Sequence, residues 1–390
     1  MKVLLDDVFF DMARSGVARY WESIVREWSK TDILRDAGID VSILSRSGAL
    51  DSYGFPTISF AHRNGEFDYR ALERDALVAI CESEDIDVFA STYFTWVPGP
   101  KNLCVIYDLI PEVFNFELTA RDWVERRLAP VVADAYVAIS ESSRRDLIHH
   151  YDFVNNDVVS IARPGIDHAT FTRQSDADIA HFRRRAGLDR PFLLIPGQRH
   201  ALPSEYKNGR LVLDAIAQHG SEELDVVFTG GEPIEEWEIN AVASAGARLH
   251  SFRFDDSQLA LAYSAAEVVV YPSLYEGFGM PPLEALAVGT PVITTLRSSL
   301  PEAVGSLSLD FDGVSVDAFM QRLRESRSPA HVRQIRAAGP RWASGFSWNH
   351  TAQAMADALV ACHERPSFAG RDAFVTALRD YNDHAINLQR

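Results

Sequence analysis

Residues 267–295 read EVVVYPSLYEGFGMPPLEALAVGTPVITT, and their order of properties predicts a strand, a loop, a helix and a second strand. EVVVYP is a short β-branched run of strand length. PPLEALAVG opens on proline, whose missing N–H would be unpaired in a first helical turn anyway, and closes on Gly289. PVITT is β-branched again. Strands joined through helices pair in parallel and are covered on both faces. Within the loop, Gly277 and Gly279 allow a ligand close approach, leaving the amides of Phe278, Gly279 and Met280 as donors. Two carboxylates bracket this backbone, Glu276 and, in the expected first helical turn, Glu284. Carboxylates suit adjacent hydroxyl pairs, so one fits a ribose and the other a second sugar. A glutamate in a first turn is also stabilised by the helix dipole alone, by roughly 0.3–1 kcal/mol. Both readings stand on the residues themselves.

Outward from this stretch the same alternation continues. Towards the N-terminus lie KVLL (2–5), VSIL (41–44), DVFAS (87–91), LCVIY (103–107), AYVAI (135–139) and VVSIA (158–162). Helical periodicity fills the gaps, as in GVARYWESIVREW and YRALERDALVAICES. RPGIDHATF (163–171) has the composition of a connector, after which FLLIP (192–196), LDVVFTG (224–230) and RLHSF (248–252) resume the pattern. The expectation is an α/β protein of two doubly wound lobes, residues 1–168 and 169–345. Helices from about residue 315 onward end in a tail, 346–390, that crosses back to the first lobe; DAFVTALRDYNDHAINLQ (372–389) is its last helix. Ligands of such sheets bind beyond the carboxyl ends of the strands, here expected in the cleft where the lobes face each other.

Composition excludes other classes. The 390 residues are 47% hydrophobic, enough for a sizeable core, and carry 38 Lys+Arg against 55 Asp+Glu, a net −17. Residues 1–168 hold −11 of that charge and the rest −6, so neither half is a basic nucleic-acid or anionic-membrane surface. SRRDLIHHY (143–151) is the best local basic patch and reads first as a solvated helix face. Cys81, Cys104 and Cys362 are few, odd in number and far apart, which points to a reducing compartment. MKVLLDDVFF is no secretory signal, and no apolar run approaches the roughly 18–20 residues of a membrane helix. A cytoplasmic protein is expected, with contact at the inner face of the membrane if its acceptor is lipid-linked.

The segment YPSLYEGFGMPPLEALAVGTPVITT (271–295) resembles the signature of the retaining GT-B glycosyltransferases of family 4 (glycosyltransferase group 1), whose core is two glutamates separated by seven residues, here Glu276 and Glu284. Similar segments follow in family order over residues 1–350: SGVARY (15–20), DVFASTY (87–93), YDLIP (107–111), VAISESSRRDL (137–147), RPGIDHATF, PGQRHALPSEYKN (196–208), SSLPE (298–302) and FSWNHTA (346–352). The nearest flavour is the mannosyl- and rhamnosyltransferases of bacterial surface polysaccharides.

The resemblance implies that Glu284 holds the ribose and that Glu276 meets the donor sugar, helped by the amides of Phe278, Gly279 and Met280. It assigns Arg199 and Lys207 to a clamp on the diphosphate, whose charge grows as it leaves. Gly16 would let the first loop approach the phosphates. Asp108 and Tyr107, the latter standing where many members have histidine, complete the catalytic set with Glu276. A phenol with a pKa near 10 is a poor base at neutral pH. Tyr107 would therefore position the sugar while the departing phosphate takes the acceptor's proton, or else pack as a strand-end residue.

The implied activity is retaining, metal-independent transfer of a hexose from a nucleotide-diphosphate sugar, GDP-mannose first. The acceptor would be a glycan or lipid-linked saccharide in O-antigen or lipopolysaccharide synthesis. No cofactor is expected beyond the nucleotide-sugar co-substrate, and no metal, since Asp85 and Asp87 sit far from any nucleotide signature. The alternatives are a non-catalytic sugar-nucleotide- or glycan-binding protein and a GT-B-fold sugar-nucleotide epimerase. A nicotinamide dehydrogenase is disfavoured because no Gly-x-Gly-x-x-Gly follows a strand.

Overall fold

A computed structural model describes residues 1–13, 15–60, 69–117, 123–200, 205–366 and 370–378. The chain divides into two compact units, Met1–Arg163 with Trp348–Arg390, and Pro164–Ser347. Each is built on one all-parallel sheet with helices between most consecutive strands.

In the first unit the strands are β1 (Lys2–Asp6), β2 (Asp40–Ser45), β3 (Thr57–Ser59), β4 (Val88–Ser91), β5 (Lys101–Ile106), β6 (Ala135–Ala138) and β7 (Val159–Ile161). They lie in the order β3-β2-β1-β4-β5-β6-β7. The second unit holds β8 (Phe192–Pro196), β9 (Asp225–Thr229), β10 (Leu249–Phe252), β11 (Val268–Tyr271), β12 (Val292–Thr295) and β13 (Leu309–Phe311), in the order β10-β9-β8-β11-β12-β13. Strand order reverses between β1 and β4 in one sheet and between β8 and β11 in the other. Central strands such as β4, β8, β9 and β11 are buried at every position, which is why they read as continuous apolar runs rather than alternations.

Eleven strands match the apolar runs read from the sequence. The two extra ones, β3 and β13, are three-residue edge strands. With one neighbour and partial exposure, they need little hydrophobic signal. The tail behaves as the helical pattern requires, with helices Val316–Ser326, Pro329–Ala343 and Trp348–Glu364.

The last of these packs on Gly16–Lys30 in the first unit. Trp28 Nε1 donates to the Ala352 carbonyl at 3.0 Å, and Thr351 Oγ1 donates to the Arg163 carbonyl at 2.6 Å. A further helical segment, 371–378, is tied to the same unit by Arg371, which reaches Asp134 at 2.6 Å and the Pro100 carbonyl at 2.8 Å. The rest of the expected last helix lies outside the described residues. All three cysteines are buried and free, and burial pushes each thiol up to about 12. They are inert at neutral pH. Among the described residues no helix is long and apolar enough to cross a membrane.

Candidate functional site

In a doubly wound sheet the ligand crevice lies where strand order reverses, beyond the carboxyl ends of the strands. In the second unit that point is between β8 and β11, and there the loops after both strands meet. Lys207, after β8, donates to both carboxylate oxygens of Glu276, after β11, at 2.8 and 3.0 Å. Both side chains are largely withdrawn from water, at 13% and 11% exposure. Burial, the largest single influence, pulls the ammonium pKa down, but the Glu276 charge and hydrogen bond together with Tyr271 and Tyr206 bring the net direction upward. The Tyr206 and Tyr271 rings flank the ammonium at 5.2 and 5.9 Å.

The neighbours of Lys207 fix its position. Tyr206 offers its carbonyl to the Leu274 amide at 2.7 Å and to Ser273 Oγ at 3.3 Å. Asn208 takes a left-handed backbone (φ 57°) and spends its side-chain amide on the carbonyls of Pro272 (3.2 Å) and Gly313 (2.9 Å). The loop after β8 is thus pinned to the loops after β11 and β13. From the other side, Ser298 and Ser299 donate their hydroxyls to the Glu276 carbonyl at 2.6 and 2.7 Å. The carboxylate therefore springs from an immobilised main chain.

Gly279 is the cap of the helix Met280–Ala287 and has φ 108°. A Cβ there would stand 2.8 Å from Leu300 Cδ2. This glycine is required. Pro281 and Pro282 remove two of the helix's open amides, and among the described residues those of Phe278, Gly279 and Met280 have no internal acceptor. They remain open as hydrogen-bond donors. Phe278's ring is buried against Phe346 at 5.8 Å, so its part in a ligand site would come through its backbone. Glu284 lies past the first turn, one residue later than expected for a dipole-stabilised acid, and is almost wholly buried. Tyr263, itself buried on the helix Asp256–Ala265, donates its hydroxyl to Glu284 Oε2 at 3.1 Å.

Four further expected residues, Arg199, Tyr107, Asp108 and Gly16, are placed outside this cluster. Arg199 is fully buried: Nε and Nη2 bond the Glu238 carboxylate at 2.9 and 3.3 Å, Nη2 also meets the Glu232 and Pro233 carbonyls, and the guanidinium lies 4.1 Å from the Phe228 ring centre. Burial pushes the Glu238 carboxyl up, yet Arg199, the Glu235 amide and His200 together hold the group below the usual range. Arg199 is a strut tying the loops after β8 and β9, not an exposed phosphate ligand. The correction comes from desolvation, because a buried guanidinium needs its carboxylate and cannot release it cheaply.

Tyr107, beyond β5 in the first unit, is buried with its hydroxyl committed. It donates to the Thr92 carbonyl at 2.7 Å and accepts from Trp21 Nε1 at 2.6 Å. Burial drives its pKa well above the ordinary phenol value. With its single proton spent, it offers a sugar no donor, and the packing role is the one the geometry supports. Asp108 is partly exposed, caps the Ile110 amide at 3.1 Å and shares Arg126 with Glu112. Gly16 opens the helix Gly16–Lys30 with open space where a Cβ would sit, so no steric demand for glycine exists in the free protein.

The sequence reading missed Tyr206, Asn208, Tyr263, Ser298 and Ser299. Ser298 and Ser299 fell inside a segment noted only for its order, and Tyr263 acts through a contact 21 residues along the chain.

Two Rossmann-like domains with this strand order, one bearing paired acids and an ammonium at its switch point, define the GT-B fold. HepE of Anabaena, solved with UDP-glucose, superposes with a TM-score of 0.69 over 93% of this chain and all of that one, at 17% identity. Residues 187–326, within the second unit, match the model of the group 1 glycosyl transferases. The serotype-specific mannosyltransferase WbdA of Escherichia coli is 27% identical over 293 residues, 67% of this chain and 33% of its own length. A D-inositol 3-phosphate glycosyltransferase of Xylanimonas cellulosilytica is 33% identical over 251 residues, 60% of this chain and 58% of that one. The chain spans about a third of the WbdA relatives it matches.

Proposed function

We propose that this protein transfers a hexose from a nucleotide-diphosphate sugar, GDP-mannose first, to a glycan or lipid-linked saccharide in surface polysaccharide synthesis. The reading rests on one observation. At the switch point of the second sheet, Lys207 meets Glu276, and the same loop continues into the open amides of Gly279 and Met280, with Glu284 buried on the helix those amides begin. Each group matches one part of such a donor. The ammonium and amides suit the diphosphate, Glu276 suits sugar hydroxyls, and Glu284, oriented by Tyr263, suits a ribose diol.

Lys207 supplies positive charge where the diphosphate would leave, so the reaction is proposed to run without a metal ion; retention at the anomeric carbon is proposed from the resemblance of the Glu276–Glu284 segment alone. Among relatives, the mannosyltransferase name of WbdA favours a mannosyl donor. A cytoplasmic location, at the membrane face if the acceptor is lipid-linked, goes with that role.

The test is a thermal-shift and calorimetric panel of GDP, UDP, dTDP and ADP on wild type and Glu284→Ala, with and without EDTA. A ligand that binds only the native state raises its melting temperature by mass action. One nucleotide should shift the wild type in EDTA, with the variant at least tenfold weaker, roughly the loss of one charge-assisted hydrogen bond. No shift by any nucleotide would remove the reading. Binding without release of nucleoside diphosphate in the presence of acceptors would leave a non-catalytic binding protein instead.

A further inference from the structure

Glu276 and Lys207 present a conflict that the proposed donor site has to resolve. Two of the three protons of the Lys207 ammonium point at one carboxylate, in a pocket that excludes most water. Among the described residues Lys207 has no second acid, and Glu276 no second cation. The backbones on both sides are clamped, by Tyr206 and Asn208 on one and by Ser298 and Ser299 on the other, so only the side chains can move apart. A diphosphate brought to Lys207 meets Glu276 as a like charge at close range, where little water screens it.

We infer that Glu276 is a discriminating latch: it occupies the diphosphate cation in the empty site, yields more readily to a ligand that brings sugar hydroxyls than to a bare nucleoside diphosphate, and speeds release of the nucleoside diphosphate once the sugar has left. This rests on the proposed function and adds a selectivity to it. An intact nucleotide sugar gives the displaced carboxylate hydroxyl donors in exchange for the ammonium. A bare nucleoside diphosphate leaves it buried with the Tyr271 hydroxyl in place of a full counter-charge. When transfer removes the sugar, Glu276 loses those donors and returns to Lys207, so that its charge acts on product release. Glu276 is then a specificity determinant as well as a sugar ligand.

The full chain would be titrated calorimetrically with GDP, UDP, dTDP and ADP, and with GDP-mannose. The proteins are wild type, Glu276→Gln, Lys207→Met, the double variant and Glu284→Ala. Glu276→Gln should bind the cognate nucleoside diphosphate about tenfold tighter than wild type, the scale of removing one close unfavourable charge. Its preference for the sugar-bearing form should shrink by the same factor. The gain should vanish on the Lys207→Met background.

A second measurement needs no variant. Saturating free mannose, by engaging Glu276, should strengthen nucleoside diphosphate binding to the wild type. Equal or weaker nucleoside diphosphate binding by folded Glu276→Gln, or no synergy with the hexose, overturns the latch. If wild type binds a nucleotide and Glu284→Ala loses it while Glu276→Gln gains nothing, the latch alone fails. If no nucleotide binds any of the proteins, the latch and the proposed function fall together.

Discussion

A single hydroxyl separates two views of Tyr107. Its proton is donated to the Thr92 carbonyl, and its oxygen takes the Trp21 indole proton. Removing it strands a buried indole N–H and a carbonyl, so Tyr107→Phe should destabilise the protein by about 1–3 kcal/mol. Nucleotide affinity should stay at the wild-type value, because Lys207, Glu276, the Gly279 and Met280 amides and Glu284 all belong to the second unit. Chemical denaturation and a nucleotide titration of the variant check this together. A folded variant whose sugar transfer fell a hundredfold would return the hydroxyl to the chemistry. Arg199 carries the same lesson, because a basic residue in a ligand loop can commit most of its donors, here Nε and Nη2, to holding that loop in shape.

At the scale of elements, the loop between β11 and the helix Met280–Ala287 has its form imposed by close packing. Gly279→Ala would put a side chain where φ is 108°, at a cost of about 1–3 kcal/mol, and would press a methyl towards Leu300. Relief by moving the loop would tilt the Gly279 and Met280 amides. The expected outcome is a lower melting temperature together with weaker binding of a nucleotide diphosphate, read by thermal melts and titration. Wild-type affinity in the variant would show that those amides are not ligands. Neighbouring prolines contribute by subtraction, since they leave fewer open amides at the helix start and keep those that remain close to Glu276.

For the whole molecule, the order of the chain and the order of its units differ. Pro164–Ser347 is one continuous segment with its own core, including Leu193, Val226, Phe228, Val270, Ile293 and Phe319. Met1–Arg163 needs Trp348–Arg390 to cover Trp28 and the Gly16–Lys30 helix. Residues 164–347 expressed alone should therefore unfold cooperatively and bind the cognate nucleotide, whereas residues 1–163 alone should expose apolar surface. Circular dichroism melts and dye binding on the two fragments check this. A second unit that stays unfolded in isolation would contradict it.

Much of this was legible in the residues. Parallel strands buried on both faces appear as unbroken apolar runs, so the two sheets, the loop carrying Glu276 and the helix carrying Glu284 could be read directly. Glycine and proline placed the turn for local steric reasons. What only the tertiary structure decided was which polar groups meet. Lys207 and Glu276 are 69 residues apart, Tyr263 and Glu284 are 21, and Arg199 and Glu238 are 39. Periodicity records which face a residue turns to the core, but not which distant charge waits there. Burial then decides what each charged group can do, because a desolvated ion needs a partner wherever the fold supplies one. Arg199 is held by its partner for good, whereas Lys207 is proposed to exchange its own for a ligand.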